Sequence, residues 1–147
     1  MADSKRLLVL AGEAVAELDE LPREVRTELE TAEEVFVVTP TLASRIDWLM
    51  SDTDRARHEA DERLDTILGQ LEPSGARLSG GAVGDDTPMT VVEDYVRGLQ
   101  PDRIILALRS DEHAAWQEQN LVERIASETG LPLTVFAIDA QGRVRAG

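Results

Sequence analysis

The chain has 147 residues, 42% of them hydrophobic and 30% charged, a length for one compact domain and a composition too apolar for a disordered one. Cysteine is absent, which excludes disulfides, thiolate nucleophiles and cysteine-based zinc sites. The formal net charge of -14, with fourteen arginines beside the single Lys5, repels phosphate backbones, so neither nucleic acid nor an anionic membrane is expected as a partner. A high-salt cytoplasm or a GC-rich genome produces the same acidity, and the charge is read as habitat before partner.

No apolar run approaches the roughly 18 residues that span a bilayer. The opening MADSKRLLVLAGE passes from a short apolar segment into acid without a cleavage-type site, so a cytoplasmic protein is expected. Apolar β-rich runs then alternate with stretches of helical period, the pattern of βαβ units around a parallel sheet. The first strand is predicted over Lys5 to Ala11 and is followed by two short helical pieces that Pro22 separates, Val15 to Leu21 and Arg23 to Glu30. A second strand covers Glu34 to Thr39. The longest helix is predicted over Ser44 to Leu71, with Ala60, Leu64, Ile67, Leu68 and Leu71 forming one apolar stripe.

The third strand, Ala76 to Val83, contains glycines and suits an edge position. Thr87 and Pro88 then read as the start of a helix that buries Val91, Val92, Tyr95, Val96 and Leu99. A fourth strand, Arg103 to Leu108, precedes a helix that carries Leu121, Val122 and Ile125 and stops at Gly130, with Pro132 beyond it. The fifth strand is Leu131 to Ile138. The tail from Asp139 to Gly147 reads as frayed, with a short strand as the alternative. LLVL, VFVV and IILAL are continuous apolar runs, as strands covered on both faces require.

A sheet of this kind binds ligands beyond the carboxyl ends of its strands, where strand order reverses. That rule selects Gly12 and Glu13 after the first strand, Thr39 after the second, Gly84 and Asp85 after the third, and Arg109, Ser110 and Asn120 after the fourth. The run GDDTP is open to two readings: a polar ligand loop, or a turn leading into a capped helix whose dipole favours acids. His58 sits in RARHEADER on a solvated helix. His113, near Ser110, Asp111 and Glu112, lacks the partners a catalytic arrangement needs. Trp48 and Trp116 are read as core or interface cover. No catalytic residue and no metal ligand is assigned.

LLVLAGE, the long second helix, AVGDDTPMTVVEDYV, DRIILAL and GLPLTVF together resemble the universal stress protein family over nearly the whole chain. The resemblance implies a three-layer α/β sandwich of the adenine nucleotide alpha hydrolase-like type. Its five-stranded parallel sheet would run in the order 3-2-1-4-5 with helices on both faces, and a homodimer would pair through the last strand. ATP-binding members carry an acid at the end of the first strand and Gly-x2-Gly-x9-Gly-(Ser/Thr) after the fourth. Here the acid position falls on Ala11, just before Gly12, and the motif on Ala107, Ser110, Asn120 and Leu121. Three Cβ atoms then stand where glycines let amides reach a phosphate, Leu121 offers no hydroxyl, and Asp111, Glu112 and Glu118 add repulsion.

ATP in the family's usual pose is therefore not expected, and no cofactor is expected. The resulting reading is a non-enzymatic stress-response or regulatory domain that acts through dimerisation and a protein partner or a non-ATP ligand. Two alternatives stay open: a nucleotide-binding or hydrolysing protein in which Arg109 grips phosphate, and an assembly module built on the apolar edge LTVFAI.

Overall fold

A computed structural model describes residues 6–40, 53–84, 88–110, 120–139 and 141–145. Strands β1 (Arg6–Ala11), β2 (Glu34–Pro40), β3 (Leu78–Gly84), β4 (Arg103–Arg109) and β5 (Leu133–Ile138) are parallel, and β6 (Val144–Arg145) is antiparallel to β5. The sheet order is β3-β2-β1-β4-β5-β6. The expected five-stranded parallel sheet in the order 3-2-1-4-5 is present, with one short strand added at its edge. The helices are α1 (Arg23–Thr31), α2 (Thr53–Leu71), α3 (Pro88–Leu99) and α4 (Leu121–Thr129).

The central strands β1, β2 and β4 form because their residues are buried on both faces. Alternate β1 side chains enter separate cores: Leu7, Val9 and Ala11 pack with Val25 and Leu29 of α1 and Leu64, Ile67 and Leu71 of α2. Leu8 and Leu10 pack with Val91 and Val92 of α3 and Leu121 and Ile125 of α4. Among the described residues, α1 and α2 thus cover one face and α3 and α4 the other, as right-handed crossovers require when the chain reverses direction across β1.

Two sequence expectations change in detail. The piece after β1 is a single 3-10 turn, Leu18–Glu20, because Val15 and Leu21 are drawn into the core from irregular backbone instead of lying on one helical face. Residues 44–52 of the predicted long helix lie outside the described residues, and α2 ends in a second 3-10 turn, Glu72–Ser74. The tail is not frayed. Gly142 takes a left-handed φ of 78°, and Asp139 Oδ1 accepts from the amides of Gln141 and Arg143 at 2.9 and 3.0 Å. This turn folds β6 back so that Ala137 pairs with Arg145 and Ile138 with Val144. Gly130 ends α4 as expected, with a φ of 67° and its amide donating to the carbonyl of Ala126.

At the amino end of the sheet, Arg103 of β4 lies 3.4 Å from Glu28 of α1 and donates to Thr134 of β5 at 3.1 Å. Burial raises the Glu28 carboxyl above its usual 4.5; Arg103 opposes that shift and Glu24 adds to it. A carboxyl held above its unfolded value contributes stability that is complete below that value and is lost as pH rises through the folded one. Glu28→Gln removes this titration. The melting temperature of the variant minus that of the parent is therefore expected to increase between about pH 4 and pH 7, measured by circular dichroism at low protein concentration; a constant or falling difference contradicts the assignment.

Candidate functional site

Strand order reverses between β1 and β4, so any ligand crevice opens where these two strands end. The register pairs Ala11 with Ala107 there. One residue further on, the amide of Gly12 donates to the carbonyl of Ala107 at 2.8 Å, extending the ladder past the strand. An anion cradle would use such an amide, but this one is already satisfied within the sheet. Glu13, half-buried, accepts from the amide of Ala14 at 3.0 Å and so serves its own turn.

Thr39, next to last in β2, has its side chain fully buried, and its hydroxyl has no hydrogen-bond partner among the described residues. Gly84, opposite Pro40, is also buried. A Cβ on Gly84 would meet Val91 at 3.0 Å and Val38 at 3.1 Å, so this glycine is explained by the close approach of α3 to β3. Asp85, the other half of that candidate pair, lies outside the described residues, as do Asp86, His113, Trp48 and Trp116.

Arg109 ends β4 half-buried and Ser110 follows it exposed. Asn120 precedes α4 in the left-handed conformation, φ 54° and ψ 32°, and is exposed. Asparagine visits that region more readily than most side chains, which is how a glycine-like backbone persists here without glycine. Leu121 does not replace a hydroxyl at the surface; it is buried beside Ile125 in the core under α4.

The structure thus brings Gly12, Thr39, Gly84, Arg109 and Ser110 to one end of the sheet. The start of α4 is brought towards the same end, because the helix runs back toward β5. Sequence reasoning did not foresee an apolar cavity of about 40 Å³ beneath the Gly12–Val15 turn, floored by Ala11 and Ala107. Its only foreshadowing was the substitution of two alanines into strands otherwise rich in Leu, Ile and Val. A nucleotide-sized site needs roughly 300–1,000 Å³. A larger surface depression, about 480 Å³, lies outside the turn between Glu17, Glu20, Asp139 and Arg143, where acids outnumber the one cation. No cluster of three or more metal-ligating side chains occurs among the described residues. None of their helices is long and apolar enough to cross a membrane. His58 is exposed, 3.1 Å from Glu62 on the same helix.

A scan of protein-family profiles finds no match to this chain, and a sequence comparison with curated proteins finds none. Solved structures do match. Hypothetical protein MJ0577 aligns with a TM-score of 0.63 at 17% identity, over 91% of this chain and 96% of its own. The universal stress protein from Archaeoglobus fulgidus aligns with a TM-score of 0.57 at 16% identity, over 88% and 92%. A universal stress protein family protein from Arabidopsis thaliana, with AMP bound, aligns at 0.53 and 11% identity over 89% and 90%. The chain therefore has the universal stress protein fold, as its sequence resemblance implied.

The left-handed backbone at Asn120 yields a direct prediction. Asn120→Gly is expected to leave stability unchanged or slightly raised, while Asn120→Val costs about 1–2 kcal/mol in urea unfolding. Equal stabilities for the two variants would show that the α4 start does not hold this conformation.

Proposed function

We propose that this protein is a non-enzymatic domain of the universal stress protein type, with a stress-response or regulatory role in the cytoplasm. It would act as a homodimer through a protein partner or a ligand other than ATP. The observation that carries this reading is the state of the β1–β4 junction. The Gly12 amide is committed to the Ala107 carbonyl, and alanine, serine, asparagine and leucine occupy the positions where the resemblance requires glycines and a hydroxyl. The AMP in the Arabidopsis thaliana protein belongs to that protein, and its likeness to this chain lies in the fold.

A second reading keeps a nucleotide but holds it by side chains. It is favoured by the left-handed backbone at Asn120 and by Arg109, a planar two-toothed phosphate donor, at the end of β4. Calorimetric titration with ATP, ADP and AMP in the presence of magnesium separates the two. No saturable heat up to millimolar nucleotide is expected. Micromolar affinity that Arg109→Ala abolishes would replace the first reading with the second.

The dimer is inferred from β5. Among the described residues, β6 pairs with Ala137 and Ile138 alone, which leaves Leu133 to Phe136 as an edge there, with Leu133, Thr134 and Val135 half-exposed. An apolar edge with no partner strand among the described residues invites pairing with a second copy. Light scattering is expected to give twice the monomer mass at micromolar concentration, and Val135→Lys to return it to one; a parent protein that is already monomeric removes the dimer from the proposal.

A further inference from the structure

The cavity beneath the Gly12–Val15 turn is walled by Val9 and Ile105 of the central strands, Val25 and Leu29 of α1, Ile67 of α2 and Phe136 of β5. Two polar side chains reach its rim, and both are turned to backbone. Glu13 accepts from the Ala14 amide, and the Gln70 side-chain amide donates to the Val15 carbonyl. A space needs roughly 10–15 Å³ to hold one water, yet water also needs two or more polar partners, and an apolar void without them stays dry. At about 40 Å³, half-open and lined almost wholly by apolar side chains, this pocket exceeds a water while offering it few partners.

The void has a specific cause. β1 and β4 carry Leu, Val or Ile along most of their buried lengths, and their pairing ends in two alanines on the same face, Ala11 against Ala107. Its roof is held from outside by three hydrogen bonds: Gly12 to Ala107, Gln70 to Val15, and the Ala16 amide to the Gly142 carbonyl at 3.0 Å. The last comes from the β5–β6 turn. A Cβ on Gly142 would lie 2.5 Å from the Ala16 nitrogen, and the residue's φ of 78° already favours glycine. The C-terminal turn therefore presses on the cavity roof as closely as backbone permits.

We propose that this cavity binds one small apolar molecule of a few heavy atoms and that the β5–β6 turn latches its roof. The inference rests on the non-nucleotide reading above and supplies the ligand class that reading left open. Xenon is the probe, because an apolar cavity takes it up without polar partners. In methyl NMR of the full chain under xenon pressure, Val25, Ile67 and Ile105 are expected to shift saturably, and Ala107→Leu to abolish those shifts by filling the floor. Should Ala107→Leu fail to fold, Ala11→Val fills the same floor from the other strand. Shifts that never saturate, that arise at other methyls, or that survive filling of the floor overturn the site.

Gly142→Ala is expected to speed hydrogen exchange of the Ala16 amide about tenfold and to speed xenon entry with it. Asp139→Ala, which removes the two side-chain hydrogen bonds of the turn, is expected to act in the same direction. Unchanged exchange in both variants overturns the latch. Nucleotide titration of the same sample keeps the two claims apart: ATP binding with intact xenon shifts defeats the non-nucleotide reading, whereas absence of both defeats the cavity site.

Discussion

The parallel pairing of β1 with β4 is the constraint on which the rest of this molecule depends. It runs from Leu7–Arg103 to Ala11–Ala107 and joins segments nearly a hundred residues apart. Every chain reversal is arranged around it: β2 and β3 extend the sheet to one side, β5 and β6 to the other, and the helices divide between the faces accordingly. Loss of this pair would separate two half-sheets that share little else. It is deeply buried, with Leu8, Leu10, Ile104, Ile105 and Leu106 almost completely removed from water, so its apolar burial is a large part of what drives folding.

The place that offers a binding crevice in a sheet of this order is thus the place most firmly built. At its end the backbone keeps bonding: Gly12 continues the ladder by donating to Ala107, and the side chains shrink to alanine instead of becoming polar. Asn120 retains a left-handed backbone while Leu121, next to it, serves the core. Geometry and chemistry have separated here. The left-handed turn at Asn120 stands because asparagine tolerates it, whereas the Gly12 amide at the neighbouring strand end is already engaged within the sheet.

The two ends of the sheet are finished differently. At the amino end, Glu28, Arg103 and Thr134 tie α1 to β4 and β5 by polar contacts, and burial of the Glu28 carboxyl makes that tie sensitive to its protonation. At the carboxyl end the tie is the β5–β6 turn, which reaches across to Ala16 through Gly142. The same turn covers the last two residues of β5, so one short segment both blunts a sheet edge and braces the β1–α1 turn.

The sequence by itself determined the fold. Continuous apolar runs mark strands buried on two faces, the stripe Ala60, Leu64, Ile67 and Leu71 marks the face α2 buries, and Gly130 marks a helix end, because each signal acts through local periodicity or local backbone freedom. It also located Gly12, Thr39, Gly84, Arg109 and Ser110 at strand ends, since strand ends in such a sheet share one side. Only the tertiary structure decided what those positions do: that the Gly12 amide is consumed by a residue 95 positions away, that Gly84 makes room for Val91, and that two alanines from distant strands meet to leave a void. It also decided that the tail is a strand, because a two-residue run such as Val144–Arg145 carries no periodicity and gains its pairing only from the edge of β5 that the fold supplies.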